Sequence, residues 1–216
     1  GFHLALSSFG ANIIFASEWD KNAADIYTEN FGLAPHGDIT KIDEKSIPDH
    51  DILCAGFPCQ AFSISGNQKG FYDSRGTLFF DVARIAKEKQ PKILFLENVK
   101  NLVGKQFKPD FDAWLKRLEH LGYNTYWKVL NAKNYGIPQN RDRCFMISIL
   151  GDAYYEFPKP IPLNTRMWNY LETYVSGKYV ASDKKVAYLE KKVKEGWKKS
   201  IVTDPNDIAT CICNPS

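Results

Sequence analysis

Short apolar runs alternate with amphipathic stretches through the first 150 residues, and this alternation constrains the fold more than any other feature of the sequence. We predict five strands, at Asn12–Ser17, Asp51–Phe57, Lys92–Leu96, Asn124–Leu130 and Cys144–Leu150. Several of these runs are too apolar to leave one face in water, which suits a parallel sheet covered on both sides. Alternation of strands and helices is typical of a doubly wound α/β domain with a mostly parallel sheet.

Three stretches between the predicted strands have the spacing of helices. They cover Lys21–Asn30 before Gly32, Thr77–Lys89 before Pro91, and a run that places Phe111, Leu115, Leu118 and Leu121 in register before Gly122. Glycine and proline at these points favour helix ends.

The pattern changes after Gly151, where prolines at 158, 160 and 162 predict an extended linker over residues 151–165. We therefore expect one domain at residues 1–150 and the start of a smaller second domain at 166–216. Residues 1–165 carry 19 basic and 19 acidic side chains, whereas residues 166–200 carry 9 basic and 4 acidic ones. This positive excess suits a polyanion such as nucleic acid, and a solvated lysine-rich helix with an apolar stripe at Val186, Leu189, Val193 and Trp197 explains it equally well.

Several classes of protein are excluded by composition. No apolar run approaches the ~18 residues of a membrane span, and no signal segment opens the chain. Five cysteines at irregular spacing favour a reducing compartment, which we take to be the cytoplasm, over a disulfide framework. Cys211 and Cys213 are one residue too close for a zinc knuckle, so no metal site is expected.

Candidate chemistry follows the predicted strands, because ligands of parallel sheets bind beyond the carboxyl ends of the strands. Cys54 lies inside an apolar run and is expected to be a packed thiol. Cys59 follows the same run after a proline, where a thiol can meet a ligand, although a structural role suits this position equally well.

Two further strand positions carry charged side chains. Glu97 follows four apolar residues, so partial desolvation would raise its pKa, and the alternative is a capping or salt-bridged carboxylate. Arg141 and Arg143 are two residues apart, which in an extended segment directs both to one side. Two guanidinium groups there suit phosphate or carboxylate recognition, and a surface salt-bridge pair is the ordinary alternative.

The motifs Gly-Phe-Pro-Cys-Gln, Glu-Asn-Val and Gln-Asn-Arg-Asp-Arg, in this order, resemble those of the cytosine-5 DNA methyltransferases of bacterial restriction–modification systems. The resemblance covers residues 1–150 and is strongest over residues 37–81. It implies that residues 1–150 form the catalytic and cofactor-binding domain and that residues 166–216 begin a target-recognition region. It implies a Rossmann-like methyltransferase fold, with Cys59 as the nucleophile that adds to cytosine C6. Glu97 would contact N3 and the exocyclic amine, Arg143 would hold the base carbonyl, and Arg141 would support the site.

The resemblance also implies S-adenosylmethionine as the methyl donor and duplex DNA, with its target cytosine flipped out, as the substrate. Contacts to the cofactor would come from Gly1, Glu18, Trp19, Asp38, Ile39, Pro58 and Leu78. The loop at residues 61–76 would close on the DNA through Ser63, Ser65, Gln68 and Arg75. Glu18 and Asp38 suit helix capping as well.

Gly1 matches the last glycine of the family's cofactor loop, so we expect this sequence to be part of a longer protein or of a split enzyme. Otherwise we expect a monomer, related in function to a cognate restriction endonuclease without binding it. Two other readings stay open: a transfer-RNA cytosine-5 methyltransferase on the same scaffold, and an inactive nucleic-acid-binding fragment.

Overall fold

The computed structural model describes residues 1–57, 78–196 and 206–210. Its α-helices are α1 (Phe2–Ser7), α2 (Lys21–Phe31), α3 (Phe79–Lys89), α4 (Lys108–His120) and α5 (Asp183–Lys194). Its strands are β1 (Ile52–Gly56), β2 (Ile93–Val99), β3 (Tyr123–Asn131), β4 (Gln139–Asn140), β5 (Asp142–Leu150) and β6 (Ala209–Thr210). The chain divides into two compact units, the first made of Gly1–Val129 and Cys144–Phe157 and the second of Leu130–Arg143 and Pro158–Ser216.

The first unit is built on a sheet in which the strand order is β1-β2-β5-β3. β1 and β2 pair in parallel, with Ile52 opposite Ile93 and Gly56 opposite Glu97. Helix α3 lies between these two strands in the sequence, because a parallel pair needs a crossover connection. The predicted α/β fold class is confirmed, and four of the five predicted strands are present.

Residues of β2 alternate between two covered faces. Leu94 and Leu96 are fully buried in the core that α3 and α4 complete. Phe95 points to the other face, where Phe2 of α1 packs on it with ring centroids 4.9 Å apart. This two-sided cover explains why residues 93–96 of the strand are all apolar, since each fully buried leucine contributes about 1.5–3 kcal/mol to folding.

All three predicted helices of the first unit are confirmed. Helix α2 begins where the Asp20 carboxylate accepts the Ala23 N–H at 2.8 Å, and it ends at Gly32, whose φ of 67° is left-handed. Both ends follow the expected chemistry of caps.

The predicted strand at Asn12–Ser17 is wrong, because the structure has no strand at these residues. A strand requires a ladder of paired backbone groups. This segment instead meets residues 36–37 through the His36 N–H, which donates to the Ala16 carbonyl at 2.8 Å, and the Ser17 hydroxyl, which donates to the Gly37 carbonyl at 2.6 Å. Its apolar, β-branched composition is therefore not sufficient for a strand.

In the second unit, β4 and β6 form a short parallel pair, with Gln139 opposite Ala209. Helix α5 confirms the predicted lysine-rich helix, but none of its side chains is buried and Val186 is 41% exposed. Trp197, the last residue of the predicted stripe, lies outside the described residues. Within the described part of the chain, no helix has the length and apolar character needed to cross a membrane.

Candidate active site

Phe57 anchors the end of β1 that leads to Cys59. Its side chain is 6% exposed and lies in the core, with its ring centroid 5.6 Å from that of Trp114. Cys59 itself lies outside the described residues, as do Pro58 and the four predicted DNA contacts, Ser63, Ser65, Gln68 and Arg75. The structure therefore defines the backbone that enters the predicted catalytic loop.

Glu97 lies at the same edge of the sheet. In the parallel register it is opposite Gly56, and its Oε2 atom is 3.5 Å from the position that a Cβ atom on Gly56 would take. Glu97 thus lies beside the segment that precedes Cys59, at the carboxyl ends of two adjacent parallel strands. Ligands of parallel sheets bind at these strand ends. The Glu97 side chain is half-buried.

The neighbouring Asn98 was missed by the sequence analysis. Its amide is 2% exposed; Nδ2 donates to the Phe57 carbonyl at 2.9 Å, and Oδ1 accepts the Val99 N–H at 2.8 Å. This side chain ties the end of β2 to the end of β1, so it sets the spacing between Glu97 and the chain entering Cys59. The sequence signal for it is an amide two residues after the apolar run 93–96, since an amide near the buried end of a strand must find hydrogen-bond partners.

Two described thiols lie close to this edge, in β1 and β5. Burial raises the pKa of Cys54 to about 11. Burial also raises the pKa of the fully buried Cys144 to about 11, and the negative charge of Glu97 adds to the shift. Both thiols are therefore protonated at neutral pH, and neither is the thiolate that nucleophilic chemistry requires.

The predicted nucleoside contacts come together on two neighbouring segments. The bonds between residues 16–17 and 36–37 bring Glu18 and Asp38 to the ends of adjacent stretches of backbone. Asp38 caps the 3-10 turn that follows it, as the alternative interpretation expected, and accepts the N–H and hydroxyl of Thr40 at 3.0 and 2.8 Å. Glu18 accepts the Asp20 N–H at 3.0 Å, and helix α2 is capped by Asp20 instead.

These two acceptors and a neighbouring aromatic side chain fit the nucleoside part of S-adenosylmethionine. The hydrogen bonds from Thr40 lower the pKa of Asp38, so that it is an ionised acceptor at neutral pH. Carboxylates such as Glu18 and Asp38 accept from hydroxyl and amino groups, which are what a ribose and an adenine present. Trp19 is 79% exposed and offers an aromatic face to a flat ring.

The other predicted cofactor contacts occupy helix ends and a turn. Gly1 precedes α1, Ile39 opens the 3-10 turn Ile39–Lys41, and Leu78 precedes α3 and packs against the core. Within residues 1–57, 78–196 and 206–210, no three His, Cys, Asp or Glu side chains form a group that could hold a metal ion.

The second unit contains the predicted arginine pair. Arg141 lies between β4 and β5, and Arg143 is the second residue of β5, where its guanidinium donates to the Asp142 carbonyl at 2.7 Å. The segment 140–142 is held by the side chain of Asn131, which is 9% exposed. Its Nδ2 donates to Asn140 Oδ1 at 2.7 Å and to Asp142 Oδ1 at 2.8 Å. Its Oδ1 accepts the Arg141 N–H at 3.3 Å. No local sequence pattern marks Asn131, because its partners lie about ten residues away.

Comparison with known proteins identifies the family. The model of the C-5 cytosine-specific DNA methylases matches residues 1–209. The chain is 56% identical to the type II methyltransferase M.HhaI of Haemophilus parahaemolyticus over 168 residues, which are 76% of this chain and 51% of that protein. It is 48% identical to the type II methyltransferase M.SsoII of Shigella sonnei over 188 residues, 85% of this chain and 49% of that protein.

The chain thus spans about half the length of these curated relatives. Among solved structures, the Dnmt2 methyltransferase of S. pombe has a TM-score of 0.74 at 22% identity, over 96% of this chain and 66% of that one. That likeness confirms the fold, and the sequence matches confirm the resemblance on which the site residues were chosen. The chain belongs to the C-5 cytosine-specific DNA methylase family.

Proposed function

We propose that the protein to which this chain belongs is a DNA (cytosine-5-)-methyltransferase that methylates a flipped-out cytosine within a specific duplex sequence. The observation that carries the proposal is the placement of Glu97 opposite Gly56, with the Asn98 amide bonded to the Phe57 carbonyl. This arrangement brings a carboxyl group beside the chain that leads to Cys59. The match to the model of the C-5 cytosine-specific DNA methylases, together with the type II methyltransferases among the relatives, supports DNA over transfer RNA as the acceptor.

The chemistry assigns one role to each side chain. The Cys59 thiolate forms a bond to C6 of the cytosine, while Glu97 holds a proton at N3, so the electron pair of the C5–C6 double bond becomes available at C5. S-adenosylmethionine supplies an electrophilic methyl group when bound. Once C5 carries that group, a base removes the C5 proton, the double bond re-forms, and Cys59 leaves as a thiolate. Arg143 holds the base carbonyl, and Arg141 supports it.

The remaining predicted residues bind the cofactor and the DNA. Glu18, Trp19, Asp38 and Ile39 would hold the nucleoside, and Gly1, Pro58 and Leu78 would line the rest of the cofactor. The DNA around the flipped base would be contacted by Ser63, Ser65, Gln68 and Arg75. These contacts would offset the few kcal/mol that flipping the base costs.

We propose that residues 166–216, beyond the linker at 151–165, begin the region that recognises the DNA sequence. The basic excess of residues 166–200 supports this assignment. We also propose that the enzyme is cytoplasmic. It would act as a monomer, or with a partner chain that supplies further motifs of the family. Its relation to a cognate endonuclease would be a shared target sequence and not a physical contact.

The test is transfer of labelled methyl from S-adenosylmethionine to duplex DNA and to transfer RNA. We expect transfer to DNA, falling to about one-thousandth or less in Cys59→Ser. The matched control is Cys54→Ala, which removes the other cysteine of the same stretch and should retain transfer. Transfer to RNA alone, transfer that survives Cys59→Ser, or no transfer to either acceptor would overturn the proposal.

A further inference from the structure

Arg84, on helix α3, contacts three separate acceptors within the first unit. Its Nε donates to Asp81 at 2.9 Å, one terminal nitrogen donates to Glu44 at 2.5 Å, and the other donates to the Ile39 carbonyl at 2.5 Å. The Arg84 side chain is 26% exposed and that of Asp81 is 16% exposed, so water competes weakly for these bonds. A planar guanidinium spreads its donors over three nitrogens in a rigid fork, whereas the three donors of an ammonium group share one nitrogen at the end of a flexible stem.

The segment that Arg84 holds has little regular structure of its own. Residues 38–46 contain two 3-10 turns, Ile39–Lys41 and Glu44–Ser46, and no α-helix or strand. Such a segment lacks a backbone ladder to fix it to the sheet, so side-chain bonds and buried anchors determine its position. Arg84 bonds to both turns, through the Ile39 carbonyl and the Glu44 carboxylate.

The bond from Arg84 to the Ile39 carbonyl lies next to the predicted cofactor site, because Ile39 directly follows Asp38. The same helix that carries Arg84 begins one residue after Leu78, another predicted cofactor contact. Arg84 therefore connects the turn that carries the nucleoside acceptor to the helix whose start would line the cofactor.

We propose that Arg84 is a positioning residue for cofactor binding, which holds the turn at Asp38 and Ile39 where it can meet the nucleoside of S-adenosylmethionine. This inference rests on the proposed function. Arg84 acts through Ile39 and does not itself contact the cofactor.

Lys89 provides a matched control on the same helix. Its ammonium donates to the Lys45 carbonyl at 3.1 Å and to Asp49 at 3.2 Å, and the side chain is 13% exposed. Lys89 thus ties α3 to the far end of the same segment, where Ile47, 3% exposed, is anchored in the interior. Loss of Lys89 should affect stability without moving the turn at Asp38.

The experiment measures S-adenosylmethionine binding by calorimetry for the unsubstituted chain, Arg84→Met, Arg84→Lys and Lys89→Ala. If the turn occupies its bound position about a tenth of the time without Arg84, the apparent Kd rises about tenfold. We expect this rise in Arg84→Met, a smaller rise in Arg84→Lys, and a change below about twofold in Lys89→Ala.

A measurement without cofactor separates positioning from a general loss of stability. The Lys41 N–H bonds to the Asp38 carbonyl at 3.0 Å and the Ile42 N–H to the Ile39 carbonyl at 3.2 Å. Hydrogen exchange at these two amides should be faster in Arg84→Met and unchanged in Lys89→Ala, even if both variants melt at a lower temperature. An unchanged Kd in both Arg84 variants, or equal effects of Arg84→Met and Lys89→Ala, would overturn the inference while leaving the proposed function standing. Failure of the unsubstituted chain to bind S-adenosylmethionine would overturn both.

Discussion

Replacing Asn98 by alanine removes the side chain that joins the ends of β1 and β2. The substitution deletes two hydrogen bonds at a site that is 2% exposed, leaving the Phe57 carbonyl without its donor and the Val99 N–H without its acceptor. Each lost bond costs about 1 kcal/mol, and a buried group left without a partner costs about 1–3 kcal/mol. We therefore expect the free energy of unfolding to fall by about 2–4 kcal/mol, a large share of the 5–15 kcal/mol that is typical of a domain.

Urea unfolding of Asn98→Ala measures this loss, with Asn101→Ala as the control. Asn101 is exposed in the turn that follows β2, so its truncation should cost less than about 0.5 kcal/mol. In conditions where both variants are folded, methyl transfer should fall in Asn98→Ala, because Glu97 and the end of β1 at Phe57 lose their fixed spacing. Equal unfolding free energies for the two variants would refute the role of the buried amide.

Two other expectations concern the second unit and the protonation of Cys144. Asn131→Ala should lower methyl transfer at least tenfold with unchanged cofactor affinity, because residues 139–143 lose the amide that organises them; transfer equal to that of the unsubstituted chain would contradict this. The folded state holds the Cys144 proton up to a pKa of about 11, whereas an unfolded thiol releases it from 9.0. The stabilisation is complete well below pH 9 and is lost as pH rises toward 11, so the unfolding free energy relative to Cys144→Ala should drop by about 1.3 kcal/mol from pH 8 to pH 10. A difference that is constant with pH would contradict the raised pKa.

Local patterns predicted most of the regular elements because their causes are local. The helix start at Asp20 and its end at Gly32 depend on side chains within a few residues, and β1, β2 and β5 each contain an apolar run that is continuous in the sequence. The role of Cys59 rests on motif resemblance and stays a prediction, since this residue lies outside the described part of the chain.

The sequence by itself determined the α/β class, the helix positions, and the family to which the motifs belong. Tertiary structure decided which apolar runs pair: Asn12–Ser17 has the composition of a strand and forms none, because strand formation depends on a neighbouring backbone. It also decided the partners of Arg84 and Asn98, which bond to carbonyls 45 and 41 positions away. The hydrophobic periodicity of the sequence does not predict such partners. A long-range hydrogen bond depends on where the packed core brings two distant segments of backbone together.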